Sequence, residues 1–373
     1  RIVISGKDVD LGLRSFSAAS SGIEVIDASA ATGTTRIVGD WSADSIDLRG
    51  VSVLGSGIVI DGAGGNDTIF GSANANVLLG GSGNDSISGS AGNDTITACT
   101  GDDTVDGGAD ADLYLVSGNQ AGGLSNFGGL DTYADTGTSG TDTIRAIGTG
   151  DVDIGLRAGI SAASSGIEVI DATGATGTVR LLGDWAAETF NLAGITILGG
   201  VVIDGAYGND TLIGSASADT LVGGGGDDSL NGGGAGDTYR VTGNQAAGWS
   251  SFQGFDTYAD TGTSGTDTVV ALGTGDVDIG VKAWGSSTGI EVINAMGATG
   301  TVRLLGDSSA NTLNLSSTTL TGSNIVIDGG HGNDTITGNA AANTIVGAGG
   351  NDKLDGGNGG DTYRVTGNQA GGW

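Results

Sequence analysis

The chain has no proline, one cysteine, and aromatic residues at only 5% of its 373 positions. A lone cysteine, Cys99, excludes an intrachain disulfide framework as the source of stability. Few large side chains beside 77 glycines argue against a single thick hydrophobic core. Basic residues are scarce too: 13 stand against 43 acidic ones, for a formal net charge of -30. Such a polyanion excludes nucleic acid and anionic membranes as partners and makes cations the natural counterpart. No apolar run reaches the ~18 residues of a membrane-spanning helix, so membrane insertion is not expected. The opening RIVISGKDVD carries no signal-peptide pattern, and the closing GNQAGGW nearly copies GNQAAGW within the chain. The sequence therefore reads as a piece cut from a longer array.

What is present is repetition at two scales. SAASSGIEVIDA occurs at 17–28 and 161–172, with STGIEVINA at 287–295, which marks three tandem units. Their expected bounds are 1–143, 144–268 and 269–373. From Asp8 to Asp151 the DVD[LI]G marker repeats after 143 residues, and from Asp151 to Asp276 after 125. Inside each unit lies a nonapeptide of the form G-G-x-G-x-D-x-U-x, where U is large and apolar. The first unit has six in unbroken register over 62–115, the second four over 205–240, and the third four over 329–364. Two nonapeptides account for the 18-residue difference between units. A chain winding two nonapeptides per coil can gain 18 residues without losing register, whereas nine would flip it.

Each nonapeptide reads as a six-residue turn and a three-residue strand with position eight pointing inward. That column is Ile69, Leu78, Ile87, Ile96, Val105, Tyr114, then Leu212, Leu221, Leu230, Tyr239, then Ile336, Ile345, Leu354, Tyr363. Glycine at positions one, two and four is expected to supply backbone with φ > 0. One inward side chain per nine residues, worth ~1.5–3 kcal/mol, cannot offset backbone ordering of ~1–2 kcal/mol per residue. The fold needs another source of stability. Parallel coils stack about 4.8 Å apart, so Asp67, Asp85 and Asp103, 18 residues apart, should form a column of like charges. At an effective dielectric of ~20, two such carboxylates repel by roughly 3–4 kcal/mol. A divalent cation between coils reverses that sign, and hard oxygen ligands in flexible turns favour Ca²⁺ over Zn²⁺ or Mg²⁺.

GGSGNDSIS at 80–88, GAYGNDTLI at 205–213, GGHGNDTIT at 329–337 and GAGGNDKLD at 347–355 resemble the RTX (repeats-in-toxin) family. The resemblance implies an all-β parallel β-roll or β-helix solenoid with Ca²⁺ in the turns, in a secreted protein exported by type I secretion that folds on meeting external calcium. It carries a ligand role onto Asp67, Asp85, Asp103, Asp210, Asp228, Asp334 and Asp352. It does the same, on the opposite side of the roll, for Asp94, Asp112, Asp219, Asp237 and Asp361. That side departs from the template in GSANANVLL, GSASADTLV and GNAAANTIV, so its sites are expected to be weaker or empty. The segments between tracts, such as VRLLGDWAAETFNLAGITILGGVVIDG at 179–205, are expected to be wider β-helix coils.

Nothing marks a catalytic centre. His331 falls at position three of a turn, Cys99 has no histidine near it in sequence, and nearly every acid belongs to a repeated turn. Trp41, Trp185, Trp249, Trp284 and Trp373 are expected to pack in the core or between coils rather than to stack on sugars. A threonine or serine recurs at position seven, but Lys353 interrupts the row and weakens an ice-binding reading. The expectation is a non-enzymatic, calcium-binding surface protein, an adhesin stalk, S-layer or filament, with calcium ions and self-association as its interactions. The alternative is the secretion and folding module of an extracellular enzyme.

Overall fold

The structure, a computed structural model, describes residues 1–118, 129–137, 139–243, 254–262 and 264–365. Short strands pair in parallel throughout the described residues. In the first nonapeptide tract Thr68 faces Ser86, which faces Thr104, while on the other side Val77 faces Thr95, which faces Leu113. Each step advances 18 residues, so one coil is two nonapeptides, and the fold is the parallel solenoid expected from the sequence.

Two compact units arise, one comprising Arg1–Leu182 with Gly194–Val201, the other Gly183–Ala193 with Val202–Trp373. In the first, a nine-stranded face starts at Val9–Gly12 and ends at Thr196–Leu198, and a six-stranded face runs from Ser15–Ser17 to Thr132–Ala134. Outside the nonapeptides the coil lengthens and gains a third strand. Val9–Gly12, Ser15–Ser17 and Val25–Ala31 lie in register with Thr35–Val38, Ser45–Asp47 and Ser52–Leu54 respectively. The SAASSG segment turns a corner of these wide coils as a single helical turn, Ala18–Ser21 or Ala162–Ser165. Ser17 caps it by accepting the Ser20 N–H, and Gly22 ends it at φ 67°.

The core is a set of one-residue-wide stacks. Ile37, Ile60, Leu78, Ile96, Tyr114, Ile144 and Ile170 lie in register and are fully buried. Twelve of the fourteen position-eight side chains are buried. Leu354 is half-buried and Tyr363 is 50% exposed, because both lie on the last described coil. Tyr114 and Tyr239 fill the core where each tract meets a wide coil. The Tyr114 hydroxyl accepts the Gly107 N–H at 2.7 Å and donates to the Ala134 carbonyl at 2.8 Å. The Tyr239 hydroxyl accepts the Gly232 N–H at 2.6 Å and donates to Asp260 Oδ2 at 3.1 Å.

The wide coils are tied by ion pairs. Asp153 and Asp278, the middle aspartates of the DVDIG marker, are buried and each is gripped by an arginine one coil on. Arg180 Nε lies 2.7 Å from Asp153 Oδ1, and Arg303 Nε and an Nη each reach Asp278 at 2.6 Å. At the first DVDLG marker Arg36 stands 3.9 Å from the equivalent Asp10 and reaches on to Asp61 at 2.5 Å.

Tryptophan placement corrects part of the expectation. Trp284 is buried and its Nε1 donates to Thr318 Oγ1 at 3.0 Å. Trp185 stacks flat on Tyr207 of the next coil at 4.1 Å, on the surface. Trp41 is 86% exposed and rests against Gly64 without entering any core, because position three of the turn faces outward. Trp249 and Trp373 lie outside the described residues.

Candidate calcium sites

Position six closes the turn of each nonapeptide immediately before its strand, so strand register sets the position-six carboxylates one above another. Each splits its two oxygens. Oδ1 accepts the backbone N–H of the equivalent residue one coil earlier: Asp67 N–H to Asp85 at 2.8 Å, Asp85 to Asp103 at 2.7 Å, and Asp94 to Asp112 at 2.7 Å. The later tracts repeat this, with Asp210 N–H on Asp228, Asp219 on Asp237, Asp334 on Asp352 and Asn343 on Asp361.

Oδ2 is treated differently. In Asp67, Asp85, Asp94, Asp103, Asp112, Asp210, Asp228, Asp237 and Asp334 it is buried without a hydrogen-bond partner, in residues only 1–3% exposed. A buried, unpaired carboxylate oxygen is among the most unfavourable groups a fold can hold, unless a cation faces it.

The position-one glycines make the room. A Cβ on Gly80 would lie 2.5 Å from Asp85 Oδ2 and 2.6 Å from the Ala98 carbonyl of the next coil. The same two kinds of oxygen crowd Gly62, Gly89 and Gly205. Their φ angles lie outside the left-handed range, which corrects the expectation for position one: its glycine is there for space. Left-handed backbone is needed at positions two and four, and even Ala63 (φ 74°) and Cys99 (φ 85°) adopt it at position two. The residues fit a hard divalent cation: position-six carboxylates and position-one carbonyls would hold it. When bound, Ca²⁺ supplies the positive charge that the unpaired oxygens face.

A family model for the RTX calcium-binding nonapeptide repeat matches in four copies, at residues 59–87, 79–114, 204–239 and 328–363. These tracts are RTX calcium-binding nonapeptide repeats. No curated protein matches the chain.

Burial sets the electrostatics of the RTX tracts. Desolvation, opposed by the N–H donated to Oδ1 and reinforced by neighbouring carboxylates, pushes Asp85 and Asp103 up to about 7, Asp94 to about 8 and Asp112 to about 6. Asp210, Asp228 and Asp237 rise to about 7 for the same leading reason. Calcium and protons therefore compete for the same oxygens near neutral pH.

The template-breaking nonapeptides carry a second kind of turn. In GSASADTLV the Ser215 N–H and Oγ donate to Asp219 Oδ2 at 2.6 and 2.9 Å, and Ser215 Oγ accepts the Ser217 N–H at 3.0 Å. Ser72 does this for Asn76 and Asn339 for Asn343, and none of these position-two residues has φ > 0. The turn's own N–H stands where a cation would, which is how serine and asparagine stabilise local turns. The geometry confines the difference to these nonapeptides rather than to a whole side, since Asp94, Asp112 and Asp237 on that side keep an unpaired Oδ2. Asp352 and Asp361 are half-buried on the last described coil.

Sequence reasoning missed both ends of these columns. Three wide-coil segments, Gly39–Asp47, Gly183–Asn191 and Gly306–Asn314, sit in nonapeptide register, and the N–H groups of Ser42, Ala186 and Ser309 donate to Asp40, Asp184 and Asp307. The first two are self-capped, with the Asp40 and Asp184 N–H groups on Asp44 and Glu188, whereas Asn311 Oδ1 is buried without a partner. Each column thus opens on a template-breaking turn, whose position-six residue is Asp44, Asn76, Glu188, Asp219, Asn311 or Asn343, and all but the Asn311 turn are capped by the position-two N–H. At the far end Asp131 and Asp256 continue one side, accepting from Asp103 and Asp228 at 3.1 Å. Asp142 and Asp267 continue the other, accepting from Asp112 and Asp237 at 2.7 Å. The signal was GTSGTDT, a nonapeptide turn hidden in the linking segment. His331 is exposed on its turn, and burial pushes the Cys99 thiol up. Among the described residues no helix is long and apolar enough to cross a membrane.

Proposed function

We propose that this chain is a calcium-rigidified structural segment of an extracellular surface protein, a stretch of adhesin stalk, S-layer or filament, with no catalytic role of its own. The observation that carries the reading is the recurrence of one column design in both compact units, each column a file of buried carboxylates with unpaired oxygens. Its residues stack coils upon one another. Oxygen-rich sites in flexible turns suit the millimolar calcium found outside cells, so that folding is coupled to export. Self-association into a layer or filament belongs to the same proposal.

Circular dichroism tests the calcium coupling: EGTA should convert a β-rich spectrum to a disordered one, and millimolar Ca²⁺ should restore it. A spectrum indifferent to EGTA would overturn the reading. Single-molecule stretching tests the structural role, with an unfolding force expected to rise with calcium. A catalytic domain encoded beside these units in the parent gene would favour an enzyme's export module instead.

A further inference from the structure

We infer that Asp112, Asp135 and Asp142 after the first tract, and Asp237, Asp260 and Asp267 after the second, each form a three-carboxylate calcium site that closes one column of that roll. The inference rests on the calcium reading above but adds Asp135, Asp142, Asp260 and Asp267, which lie beyond the RTX match that ends at 114 and at 239. One oxygen from each member of a triad lies within 4.8 Å of the others. Among the described residues no lysine or arginine pairs with any of the six.

A second observation points to a ligand. Asp112 and Asp237 are 1% exposed, and the Oδ2 of each is unpartnered. The rest of each triad is held in place by the fold. Asp142 Oδ1 accepts the Asp112 N–H at 2.7 Å, and Asp135 Oδ1 accepts the Gly108 N–H at 2.9 Å. In the second unit Asp267 Oδ1 accepts the Asp237 N–H at 2.7 Å, while Asp260 takes the Gly262 N–H on Oδ1 and the Tyr239 hydroxyl on Oδ2.

The third carboxylate has a distinct origin. Asp112 and Asp142 repeat the column's own pairing, but Asp135 and Thr136 are extra residues between one nine-residue frame, ending at Ala134, and the next, starting at Gly137. Asp260 and Thr261 are inserted identically in the second unit. The insertion brings a third negative ligand to the gap where the narrow roll meets the wide coil. Calcium affinity in oxygen sites rises with the number of charged ligands, so these gaps should bind more tightly than the two-carboxylate gaps within the tracts.

Calorimetric Ca²⁺ titration of the 373-residue chain, with a competing chelator, tests this. The wild type should show two sites about tenfold tighter than the rest. The double variant Asp135→Asn/Asp260→Asn should lose that tight class while the weaker sites remain. Absence of a tight class, or its survival in the double variant, would overturn the inference and leave the roll sites intact; no calcium uptake at any concentration would overturn the underlying reading as well. If the variant does not fold, Tb³⁺-loaded wild-type crystals decide it. An anomalous peak within each triad supports the site, and peaks confined to the nonapeptide turns refute it.

Discussion

Gly80→Ala isolates the cradle from every other property of the turn. Gly80 is not left-handed, so alanine brings no backbone strain there, but its Cβ would sit 2.5 Å from Asp85 Oδ2 and 2.6 Å from the Ala98 carbonyl. If those oxygens hold calcium, the methyl group removes one site from the folded state. Linkage then gives a measure that does not depend on overpacking. An ion bound only by the folded chain contributes about 1.4 kcal/mol of stability per tenfold rise in free calcium above its Kd. Overpacking lowers stability by about 1–3 kcal/mol at every calcium concentration and leaves that slope alone. Urea unfolding of the wild type and Gly80→Ala, followed at several calcium concentrations, should show the variant's slope shallower by one ion's worth, about 1.4 kcal/mol per decade. Gly150→Ala, in open space on a wide coil, should leave both stability and slope unchanged. Ala98 carries a methyl at the equivalent position of its own nonapeptide, so Ala98→Gly should steepen the slope by the same amount. A Gly80→Ala variant with lowered stability but an unchanged slope would refute the cradle.

Converting a capped turn should create a site: Ser215→Gly/Ser217→Gly removes the Ser215 hydroxyl from Asp219 Oδ2 and admits the left-handed backbone at positions two and four that would turn the position-two N–H away, so it is expected to add one ion to the calcium slope, and an unchanged slope would count against the two-turn distinction. In EGTA, acid should favour the fold. Asp85, Asp94, Asp103 and Asp112 titrate at about 6 to 8 when folded, above the ~3.9 of the unfolded chain. Their protonated form therefore gives stability fully present below about pH 4 and lost as pH rises through 6 to 8. Circular dichroism in chelator that gains β signal with rising pH would contradict this sign. Asp278→Ala leaves the Arg303 guanidinium without its buried partner and should cost about 3 kcal/mol in denaturant melts. That loss should be the same at all calcium concentrations that keep the chain folded, because the pair belongs to a wide coil.

The solenoid and the inner carboxylate columns were legible because a nine-residue period repeats without interruption, so each aspartate announces its neighbour 18 residues on. The column ends were not. Asp131 lies 28 residues beyond Asp103, and Asp142 lies 30 beyond Asp112, because linking residues and the two-residue insertion break the count before the turn resumes. The Asp153–Arg180 pair was hidden for a related reason: its members meet only once a wide coil of 27 residues is known. Position-one glycine was assigned to backbone freedom, as glycine in a turn usually is. Only the packing of Asp85 against the next coil's carbonyl shows that its lack of a side chain is what matters.

The capped turns have a consequence for how such a chain lengthens. Both files of the first tract and the Asp219 file of the second open on a turn that caps its own position-six side chain without an ion, such as Ser215 over Asp219 or Ser72 over Asn76. The starting end is therefore the same whatever follows it. Duplicating an 18-residue stretch within the file leaves both ends untouched and adds whole coils, which is how the first tract differs from the second. Unequal recombination between near-identical repeats would then be tolerated at the protein level, and the number of ions carried would become a heritable, stepwise setting of length.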